Sequence, residues 1–382
     1  MQRPKPLDVA KPIKLIFVGG FLGSGKTTAL GALARDIIRK GLRVGIITND
    51  QSGNLADTVI VQQMLAELNV PVEEVVKGCF CCKFDELIHQ IEKILIHEPD
   101  ILMGEPVGSC TDFVAAVAHP IKIHYKDAFT FAPFSTMVDP ERVRELLLKE
   151  IESCFPEEVA YLFEKQLEEA DLVVLNKCDL LDTSEKDRLV KAIRDRFPKK
   201  EVLVTSALKG AGMQAWLESI LSGRPGADTV LRQIDYDRYA QAEAILGWLN
   251  AAVKIRSQTT FAPEDLMHRL LLEIRNSLRL RNAGIGHLKL VMTSAGKSTW
   301  VNLTDLRSDP RLGPMRAETV SGGTLLVNAR VKMEPEELEI VVKNALASAT
   351  EFLACHFDIV ELQCFSPAYP NPPYRMQEGV ES

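Results

Sequence analysis

What this 382-residue chain lacks narrows its function first. No apolar run approaches the roughly 20 residues that span a bilayer, so no membrane partner is expected. The opening MQRPKPLDVAKPIK has charge and proline but no apolar signal core, which predicts a cytoplasmic protein. Basic residues form no run and the net charge is −7, which argues against nucleic acid as the main partner. Histidine is scarce, at seven residues with no His-rich tract, which excludes metal storage of that kind. Eight cysteines without an export signal are expected to stay reduced and to serve metals or cores rather than disulfides.

Hydrophobic residues at 46% and charged residues at 25% are ordinary for a globular protein, and the length suffices for two units. Gly19 to Thr28 reads GGFLGSGKTT and fits G-x-x-x-x-G-K-[ST] from Gly20 to Thr27. The apolar KLIFV before it reads as a buried strand, and TTALGALARDIIRK after it reads as a helix. Glycines let backbone N–H groups close around phosphate oxygens, and the helix N-terminus adds positive dipole. Gly23, Ser24, Gly25, Lys26, Thr27 and Thr28 are therefore expected to hold a nucleoside triphosphate. Lys26 would reach the terminal phosphates, and the Thr27 hydroxyl would ligate Mg²⁺.

Further apolar strands end at Asp50, Glu105, Asp139, Lys177 and Ala207, with helical patterns between them, including 59–68 and 84–97. Unbroken apolar strands alternating with helices predict an α/β fold, a parallel sheet covered on both faces, with ligands at the carboxyl ends of the strands. SGRPGAD, 222–228, marks a boundary, giving a nucleotide-binding unit over 1–225 and a second unit over 226–382. In the second unit, strand, helix and strand patterns recur around PEDL and PEEL. They predict a smaller α+β unit, a duplicated βαβ of ferredoxin-like type with an extra strand. AGKST, 295–299, lacks the first P-loop glycine and reads as a hairpin turn; the tail SPAYPNPPYR reads as irregular.

NKCD, 176–179, selects the base. A carboxylate at Asp179 can accept two hydrogen bonds from the N1–H and exocyclic amine of guanine, a donor pair that adenine lacks, so GTP is expected. Lys177 can lay its stem on the base, and Asn176 can tie this loop to the P-loop. After the next strand, Ser206 and Ala207 are placed to offer backbone N–H to the guanine O6. Asp50 and Glu105 end strands on the same side of the sheet as Lys26. Either can hold Mg²⁺, directly or through water, or orient the attacking water; either can instead only cap a helix or solubilise a loop. Glu105 opens EPVG, whose Gly108 N–H could sense the terminal phosphate.

GCFCC puts Cys79, Cys81 and Cys82 on a turn between a strand and a helix, where three thiols can converge on one soft metal ion. The helix N-terminus is expected to favour their thiolates. Core cysteines or a redox pair remain alternatives. Cys110, Cys154, Cys178, Cys355 and Cys364 are scattered and read as core or incidental.

With P-loop, GCFCC, EPVG and NKCD in this order, residues 13–222 resemble the CobW/HypB/UreG family of metal-handling GTPases, nearest its CobW-like branch. The resemblance implies a weak, Mg²⁺-dependent GTPase that binds Zn²⁺, Co²⁺ or Ni²⁺ and passes it to a client metalloprotein; it also admits a nucleotide-dependent homodimer. It assigns the metal to Cys79, Cys81 and Cys82, the switch to Glu105 and the base to Asn176, Lys177 and Asp179. TNDQSG stands where the family commonly has an N-E-x-G run. Two other readings stay open: a GTPase chaperone for a corrinoid-dependent enzyme, and a GTP-binding metal sensor or adaptor with little turnover.

Overall fold

The computed structural model describes residues 7, 9–51, 56–313 and 318–376. Eight short strands form the first sheet: β1 (Ile13–Gly20), β2 (Val44–Asn49), β3 (Val72–Val75), β4 (Ile101–Glu105), β5 (Phe129–Phe131), β6 (Ser135–Val138), β7 (Leu172–Leu175) and β8 (Glu201–Val204). Their order is β3-β2-β4-β1-β6-β7-β8, and the pairings are parallel. β1, β2, β4, β6 and β7 are buried almost throughout, because helices cover both faces; apolar runs rather than alternation are the consequence. β5 pairs with the start of β1 and β6 with its end. Pro133 stands between them and has no N–H to give the ladder, so what could be one strand is two.

The second sheet is antiparallel: β9 (Leu246–Phe261), β10 (Ile285–Ser294), β11 (Lys297–Leu303), β12 (Arg311–Leu312), β13 (Val320–Lys332) and β14 (Cys355–Phe365), in the order β12-β11-β10-β13-β9-β14. Helices Pro263–Leu280 and Pro335–Phe352 connect β9 to β10 and β13 to β14. The order β10-β13-β9-β14 is the expected ferredoxin-like arrangement, with β11 and β12 added at one edge. Both helices place their apolar stripes, among them Leu270, Ile274, Val342 and Leu346, in one core with the sheet. The 295–299 stretch is a two-residue hairpin between β10 and β11, with Ala295 and Gly296 both at positive φ.

Three local expectations shift. The helix expected over 59–68 runs Ala56–Met64, followed by a short turn of helix Ala66–Leu68; part of the preceding QSGNLADT loop lies outside the described residues. The helix expected to reach residue 97 ends at Leu95. A helix not expected, Tyr236–Ala244, is capped by the Asp235 carboxylate accepting from the N–H groups of Asp237 and Arg238. Its Tyr239 and Ala242, with Leu246 and Trp248 beyond it, belong to the apolar core beneath the parallel sheet. No helix among the described residues is long and apolar enough to cross a membrane.

Candidate functional site

Strand ends from the parallel sheet and one face of the antiparallel sheet enclose a single cavity. It is lined by Gly23, Lys26, Thr27, Glu105, Asn176 and Asp179 from the first and by His287, Lys289, Trp300 and Asn302 from the second. Gly25 takes φ 98°, and a Cβ there would stand 2.4 Å from the Asn176 side-chain nitrogen, so the turn requires glycine on both counts. Lys26 is buried and donates to the carbonyls of Gly20 (2.8 Å) and Phe21 (3.3 Å), folded over the P-loop's own backbone. Burial pushes its ammonium pKa down, partly offset by Glu105 and Asp57. Thr28 lines the same cavity. The buried Ser24 hydroxyl has no hydrogen-bond partner among the described residues.

The Thr27 hydroxyl lies 2.6 Å from Asp57 Oδ1 and 3.1 Å from Glu105 Oε1. Glu105 is 5% exposed, and its Oε2 has no partner among the described residues. Burial, reinforced by Asp57, raises its pKa to about 7. Burial would also raise Asp57, but the charge and hydrogen bond of Lys289 and the Thr27 hydroxyl outweigh it and hold that carboxyl below its usual range. A hydroxyl between two carboxylates, one with an orphaned oxygen, is a hard oxygen set that suits Mg²⁺. Sequence reasoning missed Asp57, reading it as loop; its signal was an acidic residue in the first turn of the helix after that loop.

Asp50 lines the same cavity, and its carboxylate is held from the antiparallel sheet. Arg330 holds both its oxygens, at 2.7 and 2.8 Å, and Asn328 reaches Oδ2 at 3.2 Å. Arg330 comes from the antiparallel sheet, which no strand-end argument within the first unit could foresee.

Asn176 does tie its loop to the P-loop: its side-chain amide donates to Ser24 O at 2.8 Å, and its oxygen accepts from Ala207 N–H at 2.9 Å. Lys177 is left-handed (φ 59°) and its ammonium pairs with Asp139. Asp179 accepts from the Ser206 hydroxyl at 2.6 Å. The amides expected to meet guanine O6 are engaged otherwise. Ser206 N–H bonds Ala211 O at 2.8 Å, and Ala207 N–H bonds Asn176. That loop is thus tied to Asp179 by its hydroxyl and to Asn176 by its backbone.

Cys79, Cys81 and Cys82 bring their sulfurs within 4.8 Å of one another, a donor set that fits a soft divalent ion. Asn49, the last residue of β2, clamps their loop: it donates to Val75 O (2.9 Å) and Gly78 O (2.8 Å) and accepts from Phe80 N–H (2.9 Å). Hydrogen bonds from the Cys79 and Cys81 thiols pull Cys82 down to about 3. Cys79 moves up, chiefly through its hydrogen bond with Cys81, then that with Cys82 and burial, and Cys81 moves up chiefly through Cys110. The lowering expected for all three thiols is thus seen at Cys82, where it comes from hydrogen bonds rather than the helix terminus. Cys110 stands 4.0 Å from Cys81, so it is not incidental to this cluster. Its loop leads from Glu105 through Gly108, where a Cβ would meet Leu22 of the P-loop at 2.7 Å. The irregular tail returns over the same cluster. A backbone N–H of Asn371 bonds Cys82, the Tyr374 ring centre lies 4.9 Å from that of Phe84, and Arg375 pairs with Asp112 at 2.6 Å.

Beside Ser109 of that loop sits buried Glu243, which accepts from the Ser109 hydroxyl and from Gln51 at 3.1 Å. Burial raises its pKa from 4.5 to about 8. An acid raised on folding contributes stability that is full below its ordinary pKa and lost as pH climbs through about 8. Glu243→Gln keeps both acceptor contacts without the charge. Its melting temperature should exceed the wild type's by several degrees at about pH 9 and match it at about pH 5; equal melting at both values would show that the carboxyl stays solvated.

The family model for the CobW/HypB/UreG nucleotide-binding domain matches residues 14–204. A protein named Zinc chaperone CobW from Pseudomonas aeruginosa is 29% identical over 253 residues, 58% of this chain and 65% of that one. Another of that name, from a Sinorhizobium species, is 30% identical over 199 residues, 48% of this chain and 54% of that one. The matched stretches thus span less than two thirds of these relatives. A Schizosaccharomyces pombe protein named Zinc-regulated GTPase metalloprotein activator 1 is 25% identical over 177 residues, 45% of this chain and 40% of that one. The crystal structure of HypB from Helicobacter pylori in complex with nickel is 17% identical, covering 55% of this chain and 86% of that one at a TM-score of 0.38, too low to add to the argument.

Proposed function

From the premise that the chain belongs to the CobW/HypB/UreG family, we propose that it is a GTP-hydrolysing metallochaperone that takes a divalent metal on Cys79, Cys81 and Cys82 and hands it to a client metalloprotein. One observation carries the reading. The three-thiol loop is pinned by Asn49 to the end of β2, and the next residue, Asp50, lines the nucleotide cavity. The names of the relatives favour zinc over cobalt and nickel as the cargo.

Nucleotide would enter with its base on Asp179 and its phosphates against Gly23 to Thr28. Lys26 would leave its own loop carbonyls for the terminal phosphates, and the Ser24 hydroxyl would gain the partner it lacks. Thr27, Asp57 and Glu105 would hold Mg²⁺, which offsets charge on the β- and γ-phosphates. Asp50 we assign to the anchoring of Arg330. Contacts to the terminal phosphate would order the Glu105–Cys110 loop, and hydrolysis would release it. That loop reaches the thiol cluster through Cys110, and Asn49 joins the cluster to the end of β2. The scheme therefore needs thiol affinity for metal to differ between GTP and GDP states.

The test titrates Zn²⁺, Co²⁺ and Ni²⁺ into the protein with GDP and with a non-hydrolysable GTP analogue, beside Cys81→Ser. One metal should bind tightly, require the thiols, and change affinity about tenfold between nucleotides, or about 1.4 kcal/mol of coupling. An affinity blind to the nucleotide would leave the thiols a structural site and end the chaperone reading.

A further inference from the structure

Resting on that reading of the cavity as a GTP site, we propose that Lys289, on the antiparallel sheet, is a catalytic residue: a cationic finger supplied by the same chain, which binds the terminal phosphate during hydrolysis. Three observations lead there. Lys289 projects from β10 into the nucleotide cavity, 13% exposed, and pairs with Asp57. Asp57 in turn accepts from the Thr27 hydroxyl, the group that the P-loop presents to Mg²⁺. The ammonium is therefore one carboxylate removed from the metal position. The sheet that carries Lys289 is also held firmly to the P-loop unit. A Cβ on Gly23 would meet Thr304 Cγ2 at 2.7 Å, Arg142 donates to Thr304 O at 2.6 Å, and Gln63 accepts from Ser298 N–H at 2.9 Å.

Charge balance says when the finger would act. Around Thr27 two lysines, Lys26 and Lys289, face two carboxylates, Asp57 and Glu105. The lysines are committed within the protein, Lys26 to backbone carbonyls and Lys289 to Asp57. Mg²⁺–GTP adds a net negative charge and a cation that competes for Asp57. Once Asp57 turns to Mg²⁺, directly or through water, its hold on Lys289 weakens and the ammonium finds phosphate oxygens in its place. In the reaction the water oxygen forms a bond to the γ-phosphorus while the bond from phosphorus to the β–γ bridging oxygen breaks. The electron pair of that bond stays on GDP, and the water proton goes to the phosphate product and solvent. Lys289 stays protonated throughout; it only donates hydrogen bonds to oxygens whose charge grows in the transition state. Arg330 lines the same cavity but is bound to both oxygens of Asp50, so it does not compete for this role.

The experiment compares wild type with Lys289→Met and Lys289→Arg for GTP hydrolysis, for binding of a fluorescent GDP, and for binding of GDP with Mg²⁺ and aluminium fluoride, which mimics the transferring phosphoryl group. Lys289→Met should lower kcat about a hundredfold or more, in the range found for a lost transition-state donor. It should leave GDP affinity within about threefold and lose the tight aluminium fluoride complex. Lys289→Arg, which keeps a cation, should restore part of kcat. Retained GDP binding shows the variant folded. If Lys289→Met failed to fold, Lys289→Gln, which keeps a neutral donor beside Asp57 and leaves the Mg²⁺ carboxylates untouched, would take its place, and it should still lose the tight aluminium fluoride complex. A kcat within twofold of wild type together with an intact aluminium fluoride complex overturns the finger while leaving the GTPase reading in place. Absence of hydrolysis in the wild type, with and without Zn²⁺, overturns both.

Discussion

Arg330→Met should destabilise the protein by about 3–5 kcal/mol, the usual consequence of stranding one half of a buried ion pair. Arg330 is 1% exposed and lies between two sheets. One guanidinium nitrogen donates to both oxygens of Asp50; the other donates to Asn250 Oδ1 (2.7 Å), Ala329 O (2.9 Å) and Leu249 O (3.1 Å). The guanidinium also stacks 4.2 Å from the Trp248 ring centre. Methionine replaces the stem but none of these donors, and it leaves the Asp50 carboxylate buried at 5% exposure beside apolar volume. For a chain of this length the loss corresponds to a melting temperature lower by about 4–6 °C. Asp50→Asn/Arg330→Met should recover much of it, because no charge is then left unpaired. Calorimetry of wild type, Arg330→Met, Asp50→Asn and the double variant measures the coupling directly. An Arg330→Met variant that melts within a degree of wild type would mean that the pair is dispensable.

The second large effect concerns the base. Asp179→Asn should weaken GTP binding by about a thousandfold and turn the site toward xanthosine triphosphate. Asp179 as a carboxylate offers only acceptors, which match the N1–H and amino group of guanine. Asparagine keeps one acceptor and replaces the other with an NH₂ group, which confronts the guanine amino group donor to donor. Xanthine has a carbonyl at that position, so the same NH₂ finds an acceptor there. A site built to hydrogen-bond a ligand group rejects the analogue that leaves its polar atoms unpaired by about 10⁴-fold, which sets the scale. The loop should hold its shape in the variant, since the Ser206 hydroxyl can donate to the amide oxygen as it does to Asp179 Oδ1 and Asn176 still spans from Ser24 to Ala207. Equilibrium binding with both triphosphates checks it. Undiminished GTP affinity would place the base elsewhere and detach NKCD from the site.

Local patterns were legible because each rests on near neighbours. The P-loop, the strand ends and NKCD are contiguous stretches whose geometry follows from glycine, from apolar runs and from the strand-to-helix turn, and the structure brings Lys26, Thr27, Glu105, Asn176 and Asp179 to one cavity. The three thiols were legible for the same reason, lying within four positions. Cys110 was not, because its place beside Cys81 depends on how the loop after β4 packs; spacing from Cys82 says nothing of it. Asp57 was taken for loop because the helix it opens begins earlier than its apolar pattern does.

The amino-acid order by itself determined the fold of both units and the family, since alternating elements, glycine turns and short motifs act over a few residues. Only the tertiary structure decided what Asp50 does, where Lys289 points and what roofs the cavity. Those depend on pairs such as Asp50 with Arg330 and Asp57 with Lys289, separated by 280 and 232 positions. A buried charge takes whichever opposite charge the packing delivers, because leaving it unpaired costs more than any local preference. No pattern along the chain records which partner that will be.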